Sequence, residues 1–272
     1  MPFESADAYT RFARSVKHDR RFIYDRTISN FLEAVVETSL SRIQILEAGA
    51  IFWRAQLGSG TRIENEGTPE AIEIEVPFFA DRMKPIPDIA RDGRANPRGV
   101  AYLYLANTKA TAGSELRPWL GASISISQFQ TNRELKIVDC TSDKKRWLRP
   151  FDPRTAQFVP WAPDEFESVV WGDISQAMSI PHEPEQAVLN YVPTQIICEG
   201  LRHGGADGVA YRSLLSEGGV NVVMFDIKDA DPINFTLYEA EKVVYTFRQC
   251  DNTYFAKHKP ITEENKTDTK PA

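Results

Sequence analysis

The sequence has few of the features that would assign a function directly. Its 272 residues contain three cysteines, Cys140, Cys198 and Cys250, and no CxxC pair, so a disulfide framework and a cysteine-rich metal site are excluded. The longest apolar run, 100–106, is too short to cross a bilayer, and the N-terminal stretch carries acidic residues where a signal peptide needs basic ones. We therefore expect a cytoplasmic protein that is neither secreted nor membrane-bound.

Motifs of several common enzyme classes are also missing. There is no GxxxxGK[ST], the single GxG at 58–60 lacks the third glycine of a Rossmann fingerprint, and no GxSxG elbow occurs. His182-Glu183-Pro184 begins like a zinc-protease motif, but the second histidine is absent and Pro184 would interrupt the helix that the motif needs. We interpret 182–186 as a loop and predict neither a metal nor a resident cofactor.

The charge balance excludes another class of partner. Lys and Arg number 32 against 38 Asp and Glu, for a net charge of −6 and a pI near 5.4. The overall field therefore repels nucleic acid and anionic lipid, and we expect no direct nucleic-acid binding. A local basic groove for a small anion stays open.

The pattern along the chain indicates an α+β protein. Residues 1–43 predict a helical N-terminal extension, with an Asn30-x-x-Glu33 capping box and an amphipathic stripe after it. Segments 58–71 and 81–99 are interpreted as loops, and 251–272 as a disordered tail, which leaves 44–250 as the main domain. Strands are predicted at 51–55, 73–79, 100–106, 122–129, 134–140, 208–213 and 221–227, and helices at 163–178 and 193–203.

Several short fragments, in one order, carry a family resemblance. They are FWRA at 52–55, GRANPRGV at 93–100, LYLA at 103–106, TAGSE at 111–115, YVPTQ at 191–195, DGVAYRS at 207–213 and NVVMF at 221–225. This set, over roughly residues 45–230, closely resembles the RES domain family. The resemblance implies an ADP-ribosyltransferase-like fold with a twisted, partly split central sheet flanked by helices. Known members are toxins of toxin–antitoxin pairs that degrade NAD by hydrolysis or phosphorolysis.

The resemblance also implies which residues form the site. Arg54 is the arginine at the end of the first strand, Arg94 that of the Gly-Arg-x-Asn loop, and Tyr104 the strand tyrosine, with Glu115 and Ser213 completing the set. Catalysis falls to Glu115, Arg54 and Tyr104, and substrate binding to Arg54, Arg94, Tyr104 and Ser213. The sequence departs from the family at two positions, Ala55 and Ala95, each of which directly follows one of the site arginines. These departures put the shape of the substrate contacts in doubt.

The chemistry of NAD cleavage suits this residue set. NAD carries a cationic leaving group, so one carboxylate, Glu115, is enough to stabilise an oxocarbenium-like ribose. Arg54 and Arg94 suit the pyrophosphate because guanidinium groups make bidentate, permanently charged contacts. Tyr104 suits stacking on the nicotinamide ring or a hydrogen bond to it, and Ser213 suits a hydrogen bond to the nicotinamide amide or the ribose.

Each residue also has a purely structural interpretation. Arg54 can be a snorkelling or ion-paired surface residue, Arg94 can be a solvated loop residue, and Tyr104 can serve core packing beside Tyr102. Glu115, early in a helix capped by Thr111, would be favoured by the helix dipole whatever its function, and Ser213 can simply end a strand.

We therefore predict an NAD glycohydrolase or NAD phosphorylase that takes NAD, and in the second case inorganic phosphate, as substrate. One alternative is an ADP-ribosyltransferase acting on a protein or nucleic acid, and another is a non-catalytic nucleotide-binding or partner-binding module. The resemblance implies a helix-turn-helix, Xre-like antitoxin as partner. Self-association and the role of the extension stay open.

Overall fold

The structure, a computed structural model, describes residues 3–141, 151–152, 157–158 and 161–254. Its helices are α1 (Ala8–His18), α2 (Arg26–Ser39), α3 (Ala80–Met83), α4 (Lys109–Glu115), α5 (Phe166–Ser179), α6 (Pro184–Asn190) and α7 (Val192–His203). Its strands are β1 (Ile43–Leu46), β2 (Ile51–Leu57), β3 (Gly60–Glu64), β4 (Ile72–Val76), β5 (Leu103–Ala106), β6 (Ser123–Thr131), β7 (Leu135–Asp139), β8 (Phe151–Asp152), β9 (Gln157–Phe158), β10 (Gly208–Arg212), β11 (Val220–Met224), β12 (Ala230–Pro232) and β13 (Thr236–Glu239).

Nine strands form one mixed sheet, which confirms the α+β prediction. The order is β1-β7-β10-β11-β5-β2-β6-β12, and β13 pairs with β6 beside β12. β7 and β10 run parallel, and the other neighbours run antiparallel. β5 and β2 pair through one residue pair, Trp53 with Ala106, whereas β2 and β6 pair over seven. The sheet is therefore partly split between β5 and β2, as expected.

The helices of the N-terminal extension are part of the same core as the sheet. Phe12 of α1 stacks on Phe31 of α2 at 4.4 Å between ring centroids, and both are buried. They join one apolar cluster with Trp171 of α5, Ile197 of α7 and Val209 of β10. A second apolar cluster includes residues of β5, β6, β7 and β11 together with Met83. Because the extension supplies core residues, we expect its removal to expose a large apolar surface.

One helix start and one loop predicted from the sequence were wrong. α2 begins at Arg26, and its cap is Asp25, whose carboxylate accepts a hydrogen bond from the Ile28 amide at 3.0 Å. Asn30 therefore lies inside the helix, because Asp25, which has an extended backbone, already supplies the capping acceptor five residues earlier. The loop predicted at 182–186 was also partly wrong: α6 begins at Pro184, since proline is favoured in the first helical turn.

The strands differ from prediction where they are short. Segment 58–71 was expected to be a loop, but its first part forms β3, which pairs with β4 in a hairpin whose turn has Asn65 and Gly67 at positive φ. β12 and β13 were not predicted, because three or four residues carry too little alternation to be recognised. Residues 251–254 of the predicted tail are exposed, and 255–272 lie outside the described residues.

Within the described ranges, none of the helices combines the length and apolarity that a membrane crossing needs.

Candidate active site

A cleft of about 710 Å³ opens where the two halves of the sheet separate. This volume lies in the range of small-molecule sites. β2 and β5 line it from the two sides of the split, together with the end of α4 and the segment around 82–101. Its polar and aromatic lining residues include Arg54, Gln56, Arg82, Lys84, Arg91, Asn96, Tyr102, Tyr104, Glu115, Tyr211 and Asn221.

Glu115 reaches the cleft from the last turn of α4. The helix is capped by Thr108, whose hydroxyl accepts from the Thr111 amide at 3.0 Å, so the predicted cap at Thr111 was one turn too late. Glu115 is consequently the final residue of the helix, where the dipole opposes a carboxylate instead of favouring it. The structural interpretation of Glu115 as a dipole-stabilised residue was therefore wrong.

Two donors hold one oxygen of this carboxylate. Oε1 of Glu115 accepts from Oγ of Ser213 and from Nδ2 of Asn221, each at 2.7 Å. Both donors are at least nine-tenths buried, and the Ser213 hydroxyl also accepts from the Leu215 amide at 3.2 Å. No described residue donates to Oε2 of Glu115, which leaves this oxygen for a ligand. Hydrogen bonds to a charged acceptor are strong, so they offset the unfavourable dipole.

Asn221 is a site residue that the sequence reasoning missed. It lies near the start of β11, opposite Ala106 of β5, in the NVVMF fragment that contributed to the resemblance. The available signal was a polar residue at the start of a strand whose following residues, 222–225, are all apolar, as in a strand buried on both faces. Such a residue needs a buried partner, and here the partner is Glu115.

Arg54 bridges the split in the sheet. Its Nε donates to the Met83 carbonyl at 2.7 Å, and its Nη1 donates to the Tyr104 carbonyl at 2.9 Å. Because β2 and β5 hardly pair here, the Tyr104 carbonyl would otherwise lack a partner from the facing strand, and the Met83 carbonyl ties the end of α3 to the same arginine. Burial lowers the pKa of Arg54 to about 10, so the guanidinium stays charged at neutral pH. It lines the cleft with a positive charge and also closes the sheet.

Tyr104 fixes the conformation of the Gly-Arg-x-Asn loop. Its hydroxyl donates to Oδ1 of Asn96 at 2.6 Å and accepts from the Ala95 amide at 3.0 Å. A Cβ at Gly93 would lie 2.3 Å from this hydroxyl, so the loop approaches the ring closely enough to require glycine. Burial raises the pKa of Tyr104 well above its usual value, which keeps the phenol protonated. The ring still lines the cleft.

The same loop is held from behind by the start of α7. Nε2 of Gln195 donates to the carbonyls of Gly93 and Asn96 at 2.9 and 3.0 Å, and Oγ1 of Thr194 donates to the Arg94 carbonyl at 2.6 Å. These buried side chains belong to the YVPTQ fragment. The loop is therefore preorganised by side chains instead of by regular backbone pairing.

Arg94 lies behind the cleft wall. It is 9% exposed, its guanidinium carbon is 5.5 Å from the centre of the Tyr211 ring, and no described residue pairs with its Nε. Burial opposes the charge, but Tyr211, Tyr191 and Glu115 outweigh it and raise the pKa of Arg94. For Tyr211, by contrast, burial itself raises the pKa, to about 12. Arg94 does not line the cleft itself, although Tyr211 does.

The cleft is cationic although the protein is acidic. Among its described lining residues, Arg54, Arg82, Lys84 and Arg91 carry positive charge and Glu115 is the single carboxylate. Arg82 lies over the ring of Phe78, at 5.3 Å, and Lys84 pairs with Asp231. The sequence reasoning did not single out Arg82, Lys84 or Arg91. Their signal was a predicted loop, 81–99, that holds five basic and three acidic residues in an otherwise acidic chain.

Of the five predicted site residues, the structure places three in the cleft wall: Arg54, Tyr104 and Glu115. Ser213 contacts Glu115, and Arg94 stands behind Tyr211. Among the described residues, no group of three or more His, Cys, Asp or Glu side chains comes together as a metal site would require.

Comparison with protein-family models gives one match, the RES domain, over residues 72–245, which is more than half of the chain. The chain belongs to the RES domain family. None of the curated proteins matches it significantly. Among solved structures, the chain is similar to the crystal structure of the M. tuberculosis MbcT-MbcA toxin-antitoxin complex, at 11% identity and a TM-score of 0.35. That match covers 75% of this chain and 91% of the other.

The RES domain of this protein is completed by residues outside the matched range. β1 and β2, at 43–57, precede residue 72, yet β2 is a central strand of the sheet and supplies one wall of the cleft. Arg54 belongs to this part. The site therefore combines matched residues, such as Tyr104, Glu115 and Asn221, with a strand that precedes them.

Proposed function

We propose that this protein is an NAD-degrading enzyme that cleaves the bond between nicotinamide and ribose and passes ADP-ribose to water or inorganic phosphate. The observation that carries the proposal is the arrangement of Glu115: one carboxylate oxygen is held by Ser213 and Asn221, and the other is left for a ligand in a cleft otherwise lined by cations. One carboxylate beside several cations matches a substrate with one developing positive charge and two phosphates.

In the proposed reaction, the bond between C1′ of the ribose and the nicotinamide nitrogen breaks, and its electron pair neutralises the pyridinium. Positive charge then develops on the ribose, where the carboxylate of Glu115 stabilises it more than in the ground state. Water or phosphate forms the new bond to C1′, and water loses its proton to solvent. No general acid is needed, since nicotinamide leaves as a neutral molecule.

The cations divide between two roles in this proposal. Arg54 contributes charge at the floor of the cleft, next to Tyr104. Arg82, Lys84 and Arg91 lie on the segment that forms the rim, and we assign the pyrophosphate to them. In the sequence analysis, Arg94 was expected to contact the pyrophosphate. In this conformation its guanidinium lies behind Tyr211 and outside the cleft, so we assign it to the positioning of Tyr211 and of the Gly93–Asn96 loop.

The proposed activity is tested by product identification. Purified protein is incubated with NAD, with and without phosphate, and the products are analysed by mass spectrometry. We expect free nicotinamide together with ADP-ribose, or with a phosphorylated ADP-ribose when phosphate is present. Glu115→Gln should abolish turnover and keep the fold, because the amide still accepts from Ser213 and Asn221, whereas the exposed control Glu241→Gln should stay active.

Other products would assign a different function. ADP-ribose attached covalently to protein or nucleic acid in a cell extract would identify a macromolecular ADP-ribosyltransferase. Intact NAD after long incubation, with NAD bound, would identify a non-catalytic binding module. Both results contradict the proposed reaction.

Family membership supports a cellular role as the toxin of a toxin–antitoxin pair, acting on cytoplasmic NAD and blocked by a helix-turn-helix antitoxin. Expression of the wild-type chain should arrest growth and lower cellular NAD, and Glu115→Gln should do neither. Rescue by a protein encoded next to this one would support the pair, whereas normal growth with unchanged NAD would contradict the toxin role.

A further inference from the structure

Two large apolar side chains are exposed on one wall of the cleft. Ile86 and Ile89 are 41% and 63% exposed, and both line the cleft from the segment between α3 and β5. They lie on a short turn, called here the 86–89 turn. The charged lining residues on either side of it in sequence are the cations Lys84 and Arg91. Apolar side chains left in water on the wall of a charged cleft are typical of a surface that contacts an apolar part of a ligand.

Backbone hydrogen bonds fix the conformation of the 86–89 turn. The amide of Ile89 donates to the carbonyl of Ile86 at 3.3 Å, and the amide of Ala90 donates to the carbonyl of Pro87 at 3.1 Å. The carbonyl of Ala90 accepts from the amide of Gly99 at 3.0 Å, which ties the turn to the end of the same segment. Because the surface is preformed, a ligand that binds to it loses little affinity to the ordering of the chain.

The 86–89 turn and Glu115 are anchored on opposite sides of the split in the sheet. Glu115 is held by Asn221 of β11. The segment that leads into the turn is held by β2, because Nε2 of Gln56 donates to the carbonyl of Arg82 at 2.9 Å. β5 lies between β11 and β2, and neighbouring strands are about 4.8 Å apart, so the two anchoring strands are about 10 Å apart. A dinucleotide whose reacting ribose lies at Glu115 therefore extends its other nucleoside towards the turn.

The remaining polar groups of the cleft have other partners or other tasks. The carboxamides of Gln56, Asn96 and Asn221 already donate to oxygens of the protein. The rim cations suit the pyrophosphate, to which the proposed function assigns them. The surface that stays available at the far end is the apolar one, and a purine base has a flat face that can cover it.

We propose that the 86–89 turn binds the face of the purine base of NAD, so that the enzyme accepts nicotinamide dinucleotides whichever purine they carry. This inference rests on the proposed function, since it places the reacting ribose at Glu115. The side chains of Ile86 and Ile89 have no hydrogen-bonding group, so they cover the face of a base and do not distinguish the groups at its edge. An apolar surface rejects a polar analogue weakly, whereas a site built from buried hydrogen bonds rejects it strongly.

Three substrates test the base tolerance. Nicotinamide release by the wild type is measured with NAD, with nicotinamide hypoxanthine dinucleotide and with nicotinamide guanine dinucleotide. The three differ only at the edge of the purine. We expect their kcat/KM values to agree within about tenfold, as contact with the face of the base requires.

Two variants test the place of the base. Ile86→Ser and Ile89→Ser change exposed side chains, so the fold is kept, and each should lower kcat/KM about tenfold, as the loss of part of an isoleucine contact implies. The loss should appear in KM and leave kcat unchanged, because the bond breaks at the other end of the substrate. It should also be the same factor for all three dinucleotides. Ile63→Ser, at a similarly exposed site on β3 that does not line the cleft, is the matched control and should keep full activity.

Three results would overturn this inference while the proposed function stands. They are a wild type that consumes NAD but separates the three dinucleotides by more than a hundredfold, isoleucine variants that keep the KM of the wild type, and a loss that is confined to one base. A wild type that leaves all three dinucleotides intact would instead contradict the proposed function, and the inference with it.

Discussion

The contact between Asn221 and Glu115 allows a sharp test of the candidate site. Asn221→Asp replaces the Nδ2 donor with an oxygen of nearly the same size, so the packing of β11 against β5 is preserved. The hydrogen bond to Oε1 of Glu115, 2.7 Å long, is then lost, and a second carboxylate faces the first. Asn221→Ala removes the donor without adding a charge.

The expected size of the effect follows from the kind of bond that is lost. A hydrogen bond to a charged group contributes about 1.5 to 3 kcal/mol. If it holds Glu115 where the ribose becomes positive, its loss lowers kcat by roughly 10- to 150-fold, since each 1.36 kcal/mol is a factor of ten. Asn221→Asp should be more damaging than Asn221→Ala, because repulsion adds to the lost bond.

The assay is steady-state NAD consumption, with nicotinamide release as the readout and thermal unfolding as a check on folding. We expect kcat to fall in the order wild type, Asn221→Ala, Asn221→Asp, while KM for NAD changes little, because the proposed pyrophosphate contacts lie elsewhere. Ser213→Ala should resemble Asn221→Ala, and Ser213→Thr, which keeps the hydroxyl, should recover part of the activity. Asn107→Asp, an exposed change that keeps the acceptor for the Val220 amide, is the control.

A positioning role for Asn221 is refuted if Asn221→Asp is as active as the wild type, or if the alanine variant is the less active of the two. A purely packing role for Asn221 predicts that second order, because aspartate fills the space and alanine does not. A rise in KM with unchanged kcat would place Asn221 in binding and not in the positioning of Glu115.

Three further predictions concern the surroundings of the site. Gly93→Ala should lower both stability and kcat, by about 1 to 3 kcal/mol in unfolding free energy, because its Cβ would lie 2.3 Å from the Tyr104 hydroxyl. Arg54→Lys should destabilise the fold in urea and raise KM, since one of its two carbonyl contacts is lost. Burial raises the pKa of Asp173 from 3.8 to about 6, so stability falls as the pH rises from 3.8 to 6 and the full cost is present above pH 6. Asp173→Asn should therefore raise the free energy of unfolding at pH 7.5 by about 1 to 2 kcal/mol, allowing for solvent screening, which is measured as a higher melting temperature, with no gain below pH 3.8.

The long, strongly patterned elements of the fold were predictable from the sequence. The alternation of Ile and Ser at 122–129 predicted a half-buried strand; β6 does span Ser123–Thr131, but the half-burial was wrong, since Ser125 and Ser127 are as buried as Ile124 and Ile126. α7 was predicted from Pro193 at its start and the glycines at its end, and it spans Val192–His203. These signals are local, since periodicity and helix ends depend on neighbouring residues alone.

Parts of the site depend on long-range contacts and were therefore less accessible. Glu115 was selected as a site residue, but its place at the end of α4 was not predicted, because Thr108 and Thr111 are equally good caps in sequence. Asn221 gains its role through Glu115, 106 positions away, which no local pattern encodes. The family resemblance supplied what the pattern lacked, since it names residues that are distant in sequence and close in space.

The split between β5 and β2 connects the fold of this protein with its site. Had these two strands paired along their length, no cleft would open between them, and the carbonyl of Tyr104 would bond to the backbone of β2. Because the pairing ends after Trp53 and Ala106, that carbonyl needs another donor, and Arg54 provides it while its charge faces the cleft. An arginine suits both tasks, since its planar guanidinium has more donors than the two carbonyls use.

Removing the Arg54 side chain would leave the carbonyls of Met83 and Tyr104 unpaired, at about 1 to 3 kcal/mol each. A change in activity at Arg54 therefore identifies a substrate contact once the accompanying loss of stability has been measured and subtracted.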